Sequence, residues 1–371
     1  MKKSSSTIVP PMTGLPTFQQ HYFHLKNAAD TFDIPATLDL TTSIVKLSYP
    51  NTNLANALIP MFSKLNADKN RYYDGLFEQE SDRFAGWKPY LPSPIETFKD
   101  KVLFKKRLLQ AGCLVPDYSE SAKLSLSDVI IKTRTSSFSR GIKGPFRDTS
   151  QLTLNTDYGE YFEQFIPGEI AKVWYINAKP ICIELSSMPS VTGDGKQTIR
   201  ELIIALLQSK MVKNIEGLLL QQVLQTRNFF DDKPEYQQAR LTLSHLQQAL
   251  EFYELELDHV LEPKRKQLIE FRYLHPFVHD NTTYWLNHCG RDFSQHQKQL
   301  THIGKVIETM LRETGCDLLF YTIDGIVDDQ DRLWILEANS NPMMHPFVYQ
   351  DMVRYLFKNS TNFKNATTQS I

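Results

Sequence analysis

The sequence predicts an α+β fold of two or three packed subdomains. Its 371 residues provide enough chain for that many cores, and 41% hydrophobic with 22% charged residues is the composition of an ordered globular protein. Helical spacing and short β-branched runs follow one another without the regular βαβ alternation of an α/β protein. We therefore expect helices and hairpins in an irregular order.

The charge balance and the cysteines restrict the class of protein. With 41 basic and 42 acidic residues, the chain has almost no net charge, which argues against broad binding to nucleic acid or to a membrane. The four cysteines form no CxxC pair, so neither a disulfide framework nor a zinc site is expected. The chain shows no signal-peptide h-region and no apolar run long enough for a bilayer. A cytoplasmic protein is expected.

A small N-terminal domain is predicted over residues 1–95. Apolar residues recur at helical spacing at Leu54, Leu58, Met61 and Phe62, which predicts a helix here. The Pro-rich segment WKPYLPSPIETF follows and marks a domain boundary.

Helices and strands alternate after this boundary. A helix ending near Gly112 and Pro116 is predicted for FKDKVLFKKRLLQ, and a strand for SDVIIKTRT. Two strands about a Pro-Gly turn are predicted for GEYFEQFIPGEIAKVWYINAKPICIELSS. Further helices are predicted for TIRELIIALLQ, for much of residues 206–255 and for HQKQLTHIGKVIETMLRETG, with a strand around KQLIEFRYL.

The stretch TIDGIVDDQDRLWILEANSNP near the C-terminus predicts a hairpin with an acidic turn. A turn over Asp328–Asp331 would place Val327 opposite Arg332 and Asp324 opposite Ile335. Because side chains alternate along a strand, a row of residues then shares one face of the hairpin. That row is predicted to contain Asp324, Ile335, Glu337 and Asn339.

The two acids of this hairpin predict a metal site. In the predicted register, Asp324 and Glu337 are diagonal neighbours about 7–8 Å apart at Cα. Two carboxylates at this distance on a half-buried sheet repel each other and lose hydration, and a bound divalent cation offsets both costs. Their oxygens, with the amide oxygen of Asn339, suit Mg²⁺ or Mn²⁺ better than zinc. A surface hairpin with solvated acids is the alternative.

A second polar motif follows the predicted strand SDVIIKTRT. Lys132 lies at the end of this strand and can offer a point charge to an anion. The small, hydroxyl-rich loop after it can hold phosphate oxygens through backbone N–H groups. The loop residues suited to this are Ser136, Ser137, Ser139, Arg140 and Gly141. A polar hairpin loop beside a partly buried lysine is the alternative, and no Walker loop is present.

Taken in chain order, these motifs resemble those of the ATP-grasp superfamily. The resemblance is closest to the ATP-grasp domain of cyanophycin synthetase and of bifunctional glutathione synthetase. It includes Asp100-Lys101, the strand lysine, the loop SSFSRGI and the hinge-like EQFIPGE. The longest match is MPSVTGDGKQTIRELI, close to the pattern P-x-V-x-G-D-G-x-x-T-I-x-E-L-I. With FRYLHPFVHDNTTYWLNHCGRDFS and the carboxylate hairpin, the resemblance covers about residues 95–350.

The resemblance implies a lid subdomain over residues 96–165, a C-terminal subdomain over 166–358 and a tail over 359–371. It also implies that ATP and Mg²⁺, or Mn²⁺, bind between the subdomains. The residues implied to line the nucleotide are Lys101, Lys132, Ser136, Ser137, Ser139, Arg140, Gly141, Glu163, Gln164, Ile166 and, at the ribose, Glu169. The residues implied to bind metal are Asp324, Glu337 and Asn339, and those implied for the acyl group are Lys172, Arg272, Asn287 and Arg291.

Several positions depart from the family pattern. Ser139 stands where the first loop glycine is usual, and Lys172 stands where an arginine is usual. The lysine keeps the charge but loses bidentate geometry. Cys289 and Arg291 flank Gly290 where the family has a Gly-Gly pair. For Arg272, a structural salt bridge is the alternative to a substrate contact.

The activity implied by the resemblance is ATP-dependent ligation of a carboxylate to an amine through an acylphosphate. The expected substrates are an amino acid or a small peptide, with one kind of bond made, and assembly into a homo-oligomer is left open. A kinase-like transfer to another acceptor is one alternative. A nucleotide-binding module with degenerate chemistry, acting as a partner or regulator, is another.

Overall fold

The computed structural model describes residues 17–50, 55–65, 71–90, 95–121, 126–136, 141–209, 215–226, 236–272, 277, 289–290, 294–315 and 319–358. Helices and antiparallel sheets are mixed along the chain, so the predicted α+β class is confirmed. No helix within these ranges combines the length and the apolar character needed to cross a bilayer.

The N-terminal part consists of one helix and a five-stranded antiparallel sheet. Helix α1 (Phe18–Asp30) begins with a capping box between Thr17 and Gln20, which satisfies backbone N–H groups at its first turn. The strands are β1 (Ala36–Leu38), β2 (Val45–Ser48), β3 (Ala55–Leu65), β4 (Arg71–Asp74) and β5 (Ser81–Lys88). β3 pairs with β2, β4 and β5.

The helix predicted around Leu58 and Met61 is wrong, because this segment is strand β3. Pro60 lies in the middle of the segment, and a proline inside a helix removes a backbone hydrogen bond and clashes with the preceding turn. In the sheet, both faces of β3 are covered, so Leu58, Met61 and Phe62 are all buried. Burial on both faces hides the period of two that would have identified a strand.

A four-stranded sheet follows two helices, α2 (Glu96–Lys99) and α3 (Lys101–Gln110). We call it the lid sheet because it lies in the predicted lid subdomain. The end predicted for α3 is confirmed, and Gly112 takes the left-handed conformation after it, at φ +73°. The lid strands are β6 (Tyr118–Ser119), β7 (Ser127–Thr133), β8 (Lys143–Asp148) and β9 (Glu160–Gln164), in the order β6-β9-β7-β8. β7 confirms the strand predicted for SDVIIKTRT.

The C-terminal sheet carries the carboxylate hairpin. Its strands are β10 (Glu169–Ile176), β11 (Lys179–Ser187), β14 (Cys289–Gly290), β15 (Phe320–Val327) and β16 (Leu333–Asn339), in the order β14-β11-β10-β15-β16. A separate pair is formed by β12 (Ser190–Thr192) and β13 (Lys266–Leu268). The remaining helices are α4 (Ile199–Ser209), α5 (Ile215–Thr226), α6 (Gln237–Phe252), α7 (Gln297–Glu313) and α8 (Val348–Phe357).

The prediction of two strands about Pro167-Gly168 is wrong. The segment forms three strands, and β9 belongs to the lid sheet whereas β10 and β11 belong to the C-terminal sheet. The Pro-Gly pair therefore connects two sheets. The hairpin turn lies at Asn177, which takes the left-handed conformation at φ +50°.

Two hydrophobic cores join parts of the chain that are distant in sequence. One core packs the N-terminal sheet and α8 against the end of the C-terminal sheet that carries Trp174 and Phe320, which we call its lower end. Phe84 and Trp87 of the N-terminal sheet belong to the same cluster. The other packs Phe104 of α3 against the opposite face of the C-terminal sheet. The subdomain boundaries at 95, 165 and 358 stay predictions.

Candidate active site

The carboxylate hairpin has a different register from the predicted one. Asp324 pairs directly with Glu337, and Gly325 pairs with Ile335, so Leu336 is an extra residue that forms a β-bulge. The predicted pairing of Asp324 with Ile335 is therefore wrong, and the two acids are direct rather than diagonal neighbours. The bulge also turns Ile335 into the core, where it is fully buried.

The turn explains part of this shift. Val327 pairs with Leu333, so the loop between the strands is longer than the predicted four residues. The side chain of Asp328 closes it by accepting hydrogen bonds from the backbone N–H of Gln330 at 3.0 Å and of Arg332 at 2.9 Å. A carboxylate that replaces backbone partners in this way allows a longer turn than residue counting suggests.

A row of charges crosses the C-terminal sheet at this point. We call it the charged row; it consists of Glu184, Lys172, Asp324 and Glu337, which are paired in register on β11, β10, β15 and β16. Lys172 Nζ lies 2.9 Å from Asp324 Oδ1. The amide N–H of Asn339 donates to Asp324 Oδ2 at 2.9 Å. Burial raises the pKa of Asp324, and Glu337 adds to the rise against the attraction of Lys172.

Glu337 meets lysines that come from the lid side of the molecule. Lys101 Nζ lies 3.2 Å from Glu337 Oε2 and also donates to the carbonyl oxygen of Ser136. Burial alone would raise the pKa of Glu337, but the positive charges of Lys101 and Lys132 lower it. Glu337 is therefore ionised at neutral pH, as a ligand for a hard cation must be.

A buried carboxylate on the lid sheet organises these lysines. Glu163 is 1% exposed, and its two oxygens lie 3.0 Å from Lys132 Nζ and 2.8 Å from Lys105 Nζ. The hydroxyl of Tyr161 donates to the same carboxylate at 2.9 Å. Burial would raise the pKa of Glu163, but Lys105 and Lys132 lower it to about 2. We call Lys101, Lys105 and Lys132 the lysine cluster.

The lysine cluster is tied to the hairpin as well as to Glu163. Lys105 Nζ donates to the carbonyl oxygen of Leu336, the bulged residue, at 2.6 Å. Burial lowers the pKa of Lys105 to about 8, whereas the acids around Lys132 raise its pKa in spite of burial. The N-terminus of α3 is fixed by Asp100, which accepts from Val102 N at 3.0 Å and from Arg134 Nε at 3.0 Å.

The residues brought together fit a nucleoside triphosphate with a divalent cation. The lysine cluster and Lys172 supply four positive charges around the three carboxylates of Glu163, Asp324 and Glu337. Lysines suit phosphate oxygens, and paired carboxylates suit Mg²⁺. Asn339 now points its amide N–H at Asp324, so it would become a metal ligand only after its amide turned over.

The predicted phosphate loop is described only in part. Ser136 is half-buried, and its hydroxyl donates to the carbonyl oxygen of Thr133 at 3.2 Å. Gly141 takes the left-handed conformation at φ +72°, and an added Cβ would lie 3.1 Å from Thr133 Oγ1. The predictions for Ser137, Ser139 and Arg140 lie outside the described residues.

The residues predicted for the base and ribose lie at the connection between the lid sheet and the C-terminal sheet. Gln164 N donates to Asp117 O at 2.8 Å, and Ile166 is half-buried. Glu169 is exposed and accepts from Ser187 Oγ at 3.0 Å. The carboxylate of Glu163 faces the lysine cluster, so only its backbone is left for a base. These nucleotide roles stay predictions.

Two of the four residues predicted for the acyl group are described. Lys172 lies in the charged row, whereas Arg272 is 3% exposed and forms a 3.0 Å ion pair with Glu270. Arg272 also donates to the carbonyl oxygen of Gly144 at 2.8 Å, which ties the lid sheet to the segment after β13. These contacts favour the structural alternative. Asn287 and Arg291 lie outside the described residues.

Sequence reasoning missed three charged or polar residues of the site. Lys105 follows Lys101 by four positions, which places both on one face of a helix. Tyr161 precedes Glu163 by two positions, which places both on one face of a strand. Glu184 could have been found only from the pairing of β10 with β11, which requires the position of their turn.

Comparisons with known proteins were made at the level of sequence and of structure. No protein-family model matches the chain, and no curated protein matches it. Among solved structures, the chain is similar to a bifunctional glutathione synthetase from Pasteurella multocida, with 15% identity and a TM-score of 0.37 over 89% of this chain and 43% of that one. The chain thus spans less than half the length of that synthetase.

Two further solved structures are similar over less of the chain. A D-alanine–D-alanine ligase from Bacillus anthracis has 14% identity and a TM-score of 0.31 over 74% of this chain and 70% of that one. The ATP-grasp ligase PsnB, solved with a minimal precursor, has 12% identity and a TM-score of 0.30 over 71% of this chain and 60% of that one.

The resemblance of the motifs to the ATP-grasp superfamily stays a prediction, and the structure confirms the mixed helix and sheet class. Within the described residues, Glu337 of the charged row pairs with Lys101 of α3 and is attracted by Lys132 of the lid sheet. The residues of the motif resemblance that lie together there are the strand lysine Lys132, the helix lysine Lys101, and the hairpin acids Asp324 and Glu337.

Proposed function

We propose that the chain is an ATP-dependent carboxylate–amine ligase that forms an amide bond on an amino acid or small peptide. The observation that carries the proposal is that Lys101 of α3 and Lys132 of the lid sheet both act on Glu337, which is paired with Asp324 in the C-terminal sheet. Phosphoryl transfer needs alignment and charge neutralisation more than covalent help from protein groups. This arrangement supplies both.

Each group in the arrangement has a defined task in that reaction. Lys101 and Lys132 bind phosphate oxygens, and Glu163 holds Lys132 charged and in place. Asp324 and Glu337 hold Mg²⁺, which when bound neutralises charge on the transferred phosphoryl group. The γ-phosphate passes to an oxygen of the substrate carboxylate, ADP leaves, and the amine then displaces phosphate from the acylphosphate.

An ADP-release screen tests the proposal. The full chain is incubated with ATP, Mg²⁺ and pairs of amino acids or dipeptides, and products are identified by mass. We expect ADP, phosphate and an amide in equal amounts, and Glu337→Gln should remove most of the turnover while the fold is retained. The control is Glu308→Gln on the exposed side of α7, which should leave turnover unchanged.

Other products would contradict the proposal in distinct ways. An acid-stable phosphorylated product, with no hydroxamate formed in the presence of hydroxylamine, would identify a kinase. ATP binding without ADP release across all pairs would identify a nucleotide-binding module. Full activity of Glu337→Gln at limiting Mg²⁺ would exclude this residue as a metal ligand.

A further inference from the structure

Lys88, the last residue of β5, is a buried cation outside the charged row. Its side chain is fully buried, in a part of the molecule where the N-terminal sheet packs against the chain that follows β16. An ammonium group carries three N–H donors, and burying it without a counter-charge is costly. A lysine in this environment therefore requires an explanation.

The one hydrogen-bond partner that the structure gives Lys88 among the described residues is neutral. Lys88 Nζ donates to Asn341 Oδ1, and no described carboxylate lies within ion-pairing distance. Burial lowers the pKa of Lys88 to about 7, with no acid acting against the effect. The other buried lysines among the described residues all lie beside an acid. Lys105 and Lys132 share Glu163, Lys101 pairs with Glu337, and Lys64 pairs with Glu78.

Asn341 lies at the lower end of the same sheet face as the charged row. Trp174 is on that face, two residues after Lys172, and its indole N–H donates to Met343 O at 2.9 Å. The segment after β16 therefore folds over this face. The backbone N–H of Met344 donates to Ala85 O at 2.8 Å, which fixes β5, and with it Lys88, beside the segment.

The spacing along the chain sets the distance between Lys88 and the reaction centre. Asn341 follows Glu337 by four residues, which is at most about 13 Å of extended chain at about 3.3 Å per residue. Among the described residues, Lys88 makes no hydrogen bond or ion pair with the charged row. It is within the reach of the opposite end of a short peptide or a long amino acid.

The geometry points to Lys88 and Asn341 as a subsite for a carboxylate of the substrate that does not react. The proposal rests on the ligase function above and deepens it, because it makes the substrate an anion at both ends. The bound carboxylate supplies a counter-charge for Lys88, whose hydrogen-bond partner Asn341 is neutral. Charge-assisted hydrogen bonds of this kind are stronger than neutral ones, so the subsite selects acids over amides.

Ligand-observed NMR binding tests this subsite without any need for turnover. The full chain is mixed with MgADP and with the twenty amino acids and a set of dipeptides, and each ligand that binds is compared with its C-terminal amide. We expect wild type to bind the acid at least tenfold more tightly than the amide. Lys88→Met should bind the acid at least tenfold more weakly than wild type does, and its affinity for the amide should change by less than about twofold.

A second variant separates loss of the subsite from loss of the fold. Asn341→Asp places a carboxylate beside Lys88, which should raise the melting temperature and weaken acid binding by at least tenfold. The matched control is Lys46→Met, the same substitution at an exposed position of β2, which should change neither quantity.

Two kinds of binding result overturn the proposal. Wild type that binds no amino acid or dipeptide, or binds acids and amides equally, has no such subsite. Unchanged acid binding in both Lys88→Met and Asn341→Asp would mean that the carboxylate lies elsewhere. If the acids bind as expected while the screen yields no ADP, the ligase function fails and the carboxylate subsite stands.

Discussion

The buried carboxylate of Glu163 holds two lysines of the candidate site, one from α3 and one from β7. Neither lysine could remain buried and charged alone, because desolvation disfavours an unpaired ammonium. Glu163 was predicted to line the adenine slot, and that role stays a prediction, while its side chain contacts Lys105 and Lys132. It is a positioning residue that keeps Lys132 at the junction of the two sheets.

Replacement of Glu163 by glutamine should destabilise the fold. Two buried ammonium groups lose their counter-charge, and breaking such a pair costs about 3–5 kcal/mol of the free energy of unfolding. Denaturant unfolding at neutral pH measures this loss. The control is Glu313→Gln, which removes an exposed ion pair with Arg107 and should cost less than about 1 kcal/mol.

The pH dependence of the same variant gives a second readout. The pKa of Glu163 is about 2 in the folded protein against 4.5 ordinarily, so its stabilising effect is complete above pH 4.5 and is lost as pH falls towards 2. The difference between wild type and Glu163→Gln should therefore shrink over that interval. A difference that stays constant with pH would show that packing, not charge, is responsible.

Lys172 should compete with a metal ion for Asp324. Its ammonium lies 2.9 Å from the carboxylate, and a positive charge at this distance opposes a divalent cation. We expect Lys172→Met to bind Mn²⁺ about tenfold more tightly, measured by calorimetry. The control is Lys179→Met, at the exposed first position of β11, which pairs with the strand β10 that carries Lys172. Weaker or unchanged binding would contradict the competition.

At the scale of elements, the β-bulge at Leu336 determines how the two acids meet. Strand periodicity places Asp324 and Glu337 on one face, and the sequence was sufficient for that. Their direct pairing was not predictable, because a bulge adds a residue without changing the hydrophobic pattern. The bulged residue is held by Lys105, so the lysine that sequence reasoning missed also supports the unpredicted register.

Gly325 should be required opposite the bulge. An added Cβ would lie 2.6 Å from the carbonyl oxygen of Trp334, so Gly325→Ala must push the two strands of the hairpin apart. We expect a loss of about 1–3 kcal/mol in unfolding free energy and weaker Mn²⁺ binding. Gly315→Ala, which meets no atom within 4 Å, should cost about 1 kcal/mol through its left-handed φ and leave Mn²⁺ binding unchanged.

A result for Gly325→Ala that leaves both quantities unchanged would show that the hairpin tolerates separation at this point. The bulge would then not control the spacing of the acids. A loss of stability without a change in Mn²⁺ binding would contradict the same link.

The other elements show which sequence signals are sufficient. The helix α3 and the strand β7 have clear ends or β-branched runs, and both were predicted. β3 was mistaken for a helix because its two faces are both buried, which removes the alternation that marks a strand. The extra strand in the β9–β11 region was missed because Pro167-Gly168 resembles a hairpin turn but connects two sheets.

At the scale of the whole molecule, the site exists only where separate sheets meet. Single motifs indicated the candidate residues, and their order along the chain indicated the resemblance to the ATP-grasp superfamily. The packing of the N-terminal sheet against the chain after β16 had no sequence signal, because it depends on contacts between residues more than 200 positions apart, such as Trp87 and Tyr349. Lys88 was missed for the same reason.

His21 should make the whole fold sensitive to acid. Tyr349 Oη accepts from Trp87 N at 3.1 Å and lies 2.8 Å from His21 Nδ1, whereas the buried Nε2 of His21 has no partner among the described residues, so a charged ring is poorly accommodated. Burial lowers the pKa of His21 from 6.5 to about 3. The unfolded chain binds this proton first, so stability is complete above pH 6.5 and falls as pH decreases towards 3.

The His21→Gln variant isolates this effect. When the pH falls from about 6.5 to about 5, the unfolding free energy of this variant should decrease by about 2 kcal/mol less than that of wild type. The control His302→Gln changes an exposed histidine of α7 and should follow wild type. Identical pH profiles for His21→Gln and wild type would show that His21 is not responsible.

The hydrophobic core shared by the N-terminal sheet, α8 and the lower end of the C-terminal sheet has a consequence for dividing the protein. A cut before α2 would leave Trp174, Phe320 and Met352 without the side chains that cover them. The fragment from α2 onward would then aggregate by itself, although it contains the charged row and the lysine cluster. Expressed together in one cell, the two fragments should reassemble through this surface, as in a split-protein complementation pair.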